Sequence, residues 1–198
     1  MKRITVITLL LACCFCRLPQ VTSIAQSKKT SADSPRLKTV YDKRNDETIV
    51  SVPLMSVREV PGKTEARFPE GLRNLPAETL SMTAYFSYPG KTFIKPAQVM
   101  LGFLSLSEGE AKYAGQNEVR VRVDNESMTL GMLRVADRSA YTGIQNYWTE
   151  TLEIAIDTPE FLRIANGRKI TIHLGNTEFD LSGDHLKSLR GLANRLGN

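Results

Sequence analysis

Residues 169–196, KITIHLGNTEFDLSGDHLKSLRGLANRL, leave little freedom in how the chain closes. They read as strand, two-residue turn, strand and helix. Gly175-Asn176 suits a hairpin turn, because glycine takes positive φ freely and asparagine tolerates it. The turn fixes a register: Leu174 opposite Thr177, His173 opposite Glu178, Ile172 opposite Phe179, Thr171 opposite Asp180 and Ile170 opposite Leu181. Side chains alternate between the faces of a strand. Ile170, Ile172 and Leu174 therefore share an apolar face with Phe179 and Leu181. Lys169, Thr171 and His173 share a polar face with Glu178 and Asp180. A one-residue slip would invert both strands, so the pattern is self-consistent in one register only.

Ser182 follows as a helix N-cap, with Leu181 and Leu186 at the staple positions. Leu186, Leu189, Leu192, Ala193 and Leu196 make one apolar stripe at helical spacing. Asp184 near the start and Arg190 and Arg195 near the end suit the helix dipole.

The N-terminus has a different character. Lys2-Arg3 precede an apolar run at residues 4–15 that is interrupted only by Thr5 and Thr8. Ser23 and Ala25 supply small side chains where a signal peptidase reads them. Residues 1–25 are thus expected to be a secretory signal peptide, cut after Ala25. The run is short of the about 20 residues that span a bilayer, so no transmembrane span is expected in the mature chain. A cut before Cys13, at Leu10-Leu11-Ala12-Cys13, is the alternative and would leave a lipid anchor on Cys13. Cleavage after Ala25 removes all three cysteines, Cys13, Cys14 and Cys16, and with them any disulfide or thiolate chemistry. It also removes Lys2, Arg3 and Arg17, so 26 basic residues become 23 against 21 acidic, and the net charge falls from +5 to +2. That balance gives no basis for nucleic-acid binding, which needs a concentrated basic stripe.

Residues 26–36, QSKKTSADSPR, are polar and aperiodic and are expected to be a disordered lead-in. A single β-rich domain over 37–198 follows. Alternating segments place strands at 37–41, 48–57, 80–86, 97–106, 119–123, 128–132 and 152–156. Pro53 marks an edge or bulge, since it cannot donate to a ladder. Residues 61–76 read as a long loop. Asp124 to Ser127 turns the chain. Thr158 is expected to cap a short helix with Pro159 at its first position, and Asn166-Gly167 ends it. Helical crossovers are missing between most strands, which argues against a parallel α/β sheet. The expected fold is mainly β (α+β): an antiparallel β-sandwich or curled sheet, with one short helix and a C-terminal helix packed on it.

Signals for chemistry are sparse. His173 and His185 are the only histidines. His173 with Glu178 and Asp180, and with His185 as a further ligand, resembles a zinc ligand set in type. A solvated hairpin face with a cross-strand ion pair explains the same residues, so no metal and no cofactor are expected. No Gly-x-Ser-x-Gly elbow and no phosphate-cradling glycine loop occurs. Arg120 and Arg122 project together from one strand face, where an acidic ligand would meet them. Tyr141, Tyr147 and Trp148 cluster in the polar segment 140–150, read as a loop, and loop aromatics are candidates for partner binding. These five residues are the candidate binding set, and no catalytic residue is assigned.

The segment from Glu150 to Leu196 resembles the ending of several secreted bacterial β-rich proteins, among them the invasion-associated locus B proteins. Their closing motif is similar to Phe179-x-Leu181-x-Gly183. The resemblance covers the last quarter of the chain. It departs where that family carries cysteines, and at Asp184, where the family has an aromatic. It implies a secreted bacterial β-rich domain and brings no catalytic residue. The expected function is an exported, periplasmic or cell-envelope domain that binds a protein or envelope component without catalysis. The alternative is a secreted hydrolase with an acid/base pair that no motif marks.

Overall fold

The computed structural model describes residues 37–62, 76–113, 115, 118–142 and 146–197. The expected signal peptide, the lead-in and nearly all of the loop at 61–76 lie outside these residues, as do the side chains of Tyr141, Thr142 and Asn146.

Among the described residues, eleven strands and two helices follow in order: β1 (Lys38–Asp42), β2 (Glu47–Ser51), β3 (Met55–Val60), β4 (Glu78–Pro89), β5 (Gln98–Glu108), β6 (Glu118–Val123), β7 (Glu126–Met132), β8 (Arg134–Thr142), β9 (Asn146–Asp157), α1 (Thr158–Asn166), β10 (Ile170–Leu174), β11 (Thr177–Asp180) and α2 (Gly183–Gly197). They form a seven-stranded sheet in the order β1-β2-β4-β5-β9-β8, with β3 also on β4, and a four-stranded sheet in the order β11-β10-β6-β7. Every pairing is antiparallel. The fold is the mainly β, α+β arrangement that the alternation implied.

The closing hairpin has the expected register, with Leu174 opposite Thr177 and Thr171 opposite Asp180. Gly175 takes φ 54° in the turn. Ile170, Ile172 and Leu174 are fully buried, and Phe179 and Leu181 nearly so. They face Leu80, Met82, Phe103 and Leu152 of the larger sheet in one shared core. Phe103 and Phe179 meet edge-on across it, with ring centroids 6.4 Å apart. The far half of the larger sheet's inner face is closed by the helices, α1 against β5 and β9 and α2 against β4. Phe161, Ile164, Leu189 and Leu192 are buried there.

Several local expectations change. The segment 48–57 is two strands, and both run along β4. Pro53 has no N–H to give and divides them, while the flanking Val52 N–H still reaches Ala84 O at 3.0 Å. Thr158 does not cap α1. Asp157 holds the N-cap position without a side-chain bond, and the Thr158 hydroxyl donates to Pro96 O at 2.8 Å. Gly167 ends α1 with φ −62°, so positive φ is not its reason. Its reason is space: a Cβ there would overlap Ile170 Cδ1 and lie 2.8 Å from Val123 Cγ1. Ser182 does cap α2. The His185 N–H donates to Ser182 Oγ at 3.4 Å and the Ser182 N–H donates to His185 Nδ1 at 3.1 Å, a reciprocal pair in which histidine stands where a glutamate is usual.

Candidate binding site at the mouth of the sandwich

The inner face of the larger sheet changes chemistry along its length. One cross-strand row carries Met55, Met82, Phe103, Leu152 and Val135, all apolar. The next row toward the end of the sandwich carries Arg58, Leu80, Ser105, Glu150 and Arg138. The last carries Val60, Glu78, Ser107, Trp148 and Ala140. Polar side chains thus enter the space between the sheets at its open end, hereafter the mouth.

Two bulges set this arrangement. On β3 the register shifts between Ser56 and Arg58, and on β8 between Val135 and Asp137. Each extra residue moves the remainder of its strand to the other face. Without the first, Val57 would stand opposite Leu80 in place of Arg58. Without the second, Asp137 would oppose Glu150, carboxylate against carboxylate. The bulges lie on opposite flanks of β4, β5 and β9, and each turns an arginine toward the mouth.

Below the arginines lie two carboxylates. Glu150 is fully buried. Arg138 donates to its Oε1 from Nε at 3.1 Å and pairs with it through Nη2 at 2.9 Å, and the Tyr113 N–H donates to Oε2 at 3.0 Å. Glu78, 9 % exposed, pairs with Lys112 and, at 3.3 Å, with Arg58 Nε. That last contact is close enough to attract but is not aligned as a hydrogen bond, and both atoms, with Ser105 Oγ, stay without a hydrogen-bond partner. Lys112 and Tyr113 are consecutive, so one short segment of the β5–β6 connection reaches both carboxylates. The Tyr113 ring is buried and its hydroxyl donates to Thr177 Oγ1 of the smaller sheet at 3.2 Å. Burial pushes that hydroxyl's pKa up to about 12. The cations stay partly open to solvent, with side chains 39 % (Arg58), 33 % (Lys112) and 30 % (Arg138) exposed, while their carboxylates are 12 % and 0 % exposed. The mouth is therefore layered, with acids beneath and bases outside.

The candidate residues from sequence divide between several places. The segment 140–150 is mostly strand, because β8 and β9 form a hairpin through it. Tyr147 and Trp148 adjoin in sequence and so point to opposite faces. Tyr147 is buried on the outer face, where its hydroxyl donates to Pro76 O at 3.2 Å. Trp148 is partly exposed at the mouth beside Ser107. Tyr141 pairs with Tyr147 across the hairpin. Arg120 and Arg122 lie elsewhere, on the outer face of the smaller sheet, opposite His173 and Thr171. Charge on that face is matched locally: Arg120 with Glu118 at 3.2 Å, Arg122 with Glu178 at 3.8 Å and His173 Nδ1 with Glu178 at 3.3 Å. Thr171 donates to Asp180 at 2.6 Å. Among the described residues no three of His, Cys, Asp and Glu converge to hold a metal.

Arg58, Lys112, Arg138, Glu78 and Glu150 were not singled out from sequence. Their convergence depends on two bulges and a sheet-to-sheet crossing, none of which has a local signature.

A different buried acid sits on the outer face of the larger sheet. Glu153 pairs with Arg134 and accepts from the Tyr85 hydroxyl at 3.1 Å. Burial, together with the Glu153 charge, raises the Tyr85 pKa. An open concavity of about 440 Å³ between α1 and α2 is lined by Leu162, Asn166, Ala193, Asn194 and Gly197, with no ionisable side chain. Among the described residues no helix is long and apolar enough to cross a membrane.

No family model, no curated protein and no solved structure matches the chain.

Proposed function

We propose that the protein is an exported, periplasmic or cell-envelope binding domain without catalytic chemistry, and that its partner docks at the mouth around Trp148. The observation that carries this reading is the delivery of Arg58 and Arg138 to one end of the sandwich by separate bulges, beside a partly exposed indole. Bulges re-aim side chains beside functional sites, and tryptophan and arginine are the residues on which interfaces most often depend. The apolar leader ahead of Ala25 and the resemblance of the closing segment to secreted bacterial proteins support the location. The hydrolase alternative has less support. Both Glu150 oxygens are already engaged, by Arg138 and the Tyr113 N–H, and so are held in place of a substrate.

The test is capture from the host envelope by the exported protein, wild type against Trp148→Ala. The variant should keep the wild-type thermal transition and lose the captured partner. Capture that survives the substitution, or a domain that unfolds on it, would overturn the reading. Mass spectrometry of the exported product should find Gln26 at its N-terminus.

A further inference from the structure

Resting on that reading, we infer that the mouth recognises an extended acidic peptide segment, whose carboxylates bridge Arg58, Lys112 and Arg138. Three observations lead there. The first is layering: an approaching group meets the three cations before it meets Glu78 and Glu150. Among the described residues, Glu108 at the end of β5 and Glu110 on the loop that carries Lys112 are further exposed acids at this end. A guanidinium carries five N–H donors and an ammonium three, more than the carboxylates beneath can take.

The second is incomplete bonding. Arg58 Nε, Glu78 Oε1 and Ser105 Oγ are buried without a hydrogen-bond partner. Buried polar groups are nearly always satisfied, so each such atom calls for an explanation. A carboxylate taking the outer edge of Arg58 supplies one, because it turns the guanidinium and lets Nε align on Glu78.

The third is span. The backbones of Arg58 and Arg138 are four strand spacings apart along one row. Their guanidiniums lean inward onto Glu78 of β4 and Glu150 of β9, which are two spacings or about 10 Å apart at about 4.8 Å per strand. A lone phosphate or carboxylate cannot touch both. An extended chain covers that distance in about three residues at about 3.3 Å each. Trp148, in the adjoining row, offers a flat apolar surface to the same segment, so the geometry favours a peptide over a small anion.

Trp148 is the single tryptophan of the chain, and its fluorescence reports on the mouth. The experiment titrates the exported protein with hexaglutamate, with hexaglutamine and inorganic phosphate as parallel arms, and repeats each arm by isothermal calorimetry. Hexaglutamate should bind saturably, weaken about tenfold on going from low to high salt, and weaken at least about tenfold in Arg58→Gln. Circular dichroism confirms that this variant is folded, and the salt series on wild type stands independently of it. Absence of saturable binding by both methods overturns the inference. So does equal binding of hexaglutamine, or inorganic phosphate that saturates the site equally well. If hexaglutamate fails while Trp148-dependent capture from the envelope persists, only this inference falls and the binding domain stands.

Discussion

Arg138 and Glu150 are direct cross-strand neighbours, and the guanidinium closes to 2.9 Å on a carboxylate with no solvent exposure. Removing Arg138 leaves the buried Glu150 carboxylate with the Tyr113 N–H alone, at a cost of about 1–3 kcal/mol for the unsatisfied acceptor. Arg138→Met should lower stability by an amount in that range. Glu150→Gln in the same chain should restore part of it. Urea denaturation of the two single variants and the double variant gives the coupling directly.

Tyr113 holds its proton more tightly in the folded chain, with a pKa of about 12 against an ordinary 10.0, chiefly because burial disfavours the phenolate. A raised pKa contributes stability that is complete below about pH 10 and is lost as pH rises through about 12. The urea midpoint should therefore fall between pH 9 and 12, and fall less in Tyr113→Phe. Tyr85 is shifted in the same direction, so Tyr85→Phe should flatten the curve further. At neutral pH Tyr113→Phe should cost about 1 kcal/mol for the lost bond to Thr177.

Gly167→Ala puts a methyl group against Ile170 Cδ1 and Val123 Cγ1. Both neighbours belong to the packed core. Overpacking of this kind costs about 1–3 kcal/mol. The thermal midpoint should drop although alanine is the better helix former.

Ser182→Ala removes the acceptor of the His185 N–H at the start of α2. The expected loss is about 1 kcal/mol. Ser182→Asn should keep most of the stability, and comparing the two melts separates the cap from general packing.

How much of this was legible beforehand depends on the range of each interaction. The hairpin at Gly175-Asn176 was readable because its register and its apolar face are set within twelve residues. Ser182 was readable because a cap acts over one turn. Strand β8 was not, since an edge strand exposed along most of its described length carries no apolar alternation: Arg134, Asp137, Arg138, Ser139 and Ala140 are all open to solvent. Its absence made Tyr147 and Trp148 look like loop residues when they lie on opposite faces of β9. The mouth was harder still. In strict alternation Val57 and Asp137 would stand opposite Leu80 and Glu150, and only the bulges put Arg58 and Arg138 there. Gly167 is legible as a helix end, but the crowding that requires glycine there is not, because it comes from Val123 and Ile170, residues paired across a sheet.

One contact between the helices reaches further than its two bonds. Arg190 of α2 donates to Ala165 O at 3.1 Å and to Gly167 O at 2.8 Å, where α1 stops. The last carbonyls of a helix have no partner of their own and carry partial negative charge. The tail helix is thus the terminator of its shorter neighbour, and lifting it uncovers apolar surface and frays α1 in the same event. The two helices, residues 158–166 and 183–197, should then open as one cooperative unit while β10 and β11 stay in their sheet, with the amides of both helices exchanging at a common rate. A chain that reads as two separate helical afterthoughts on a β-sandwich behaves as a single hinged cover.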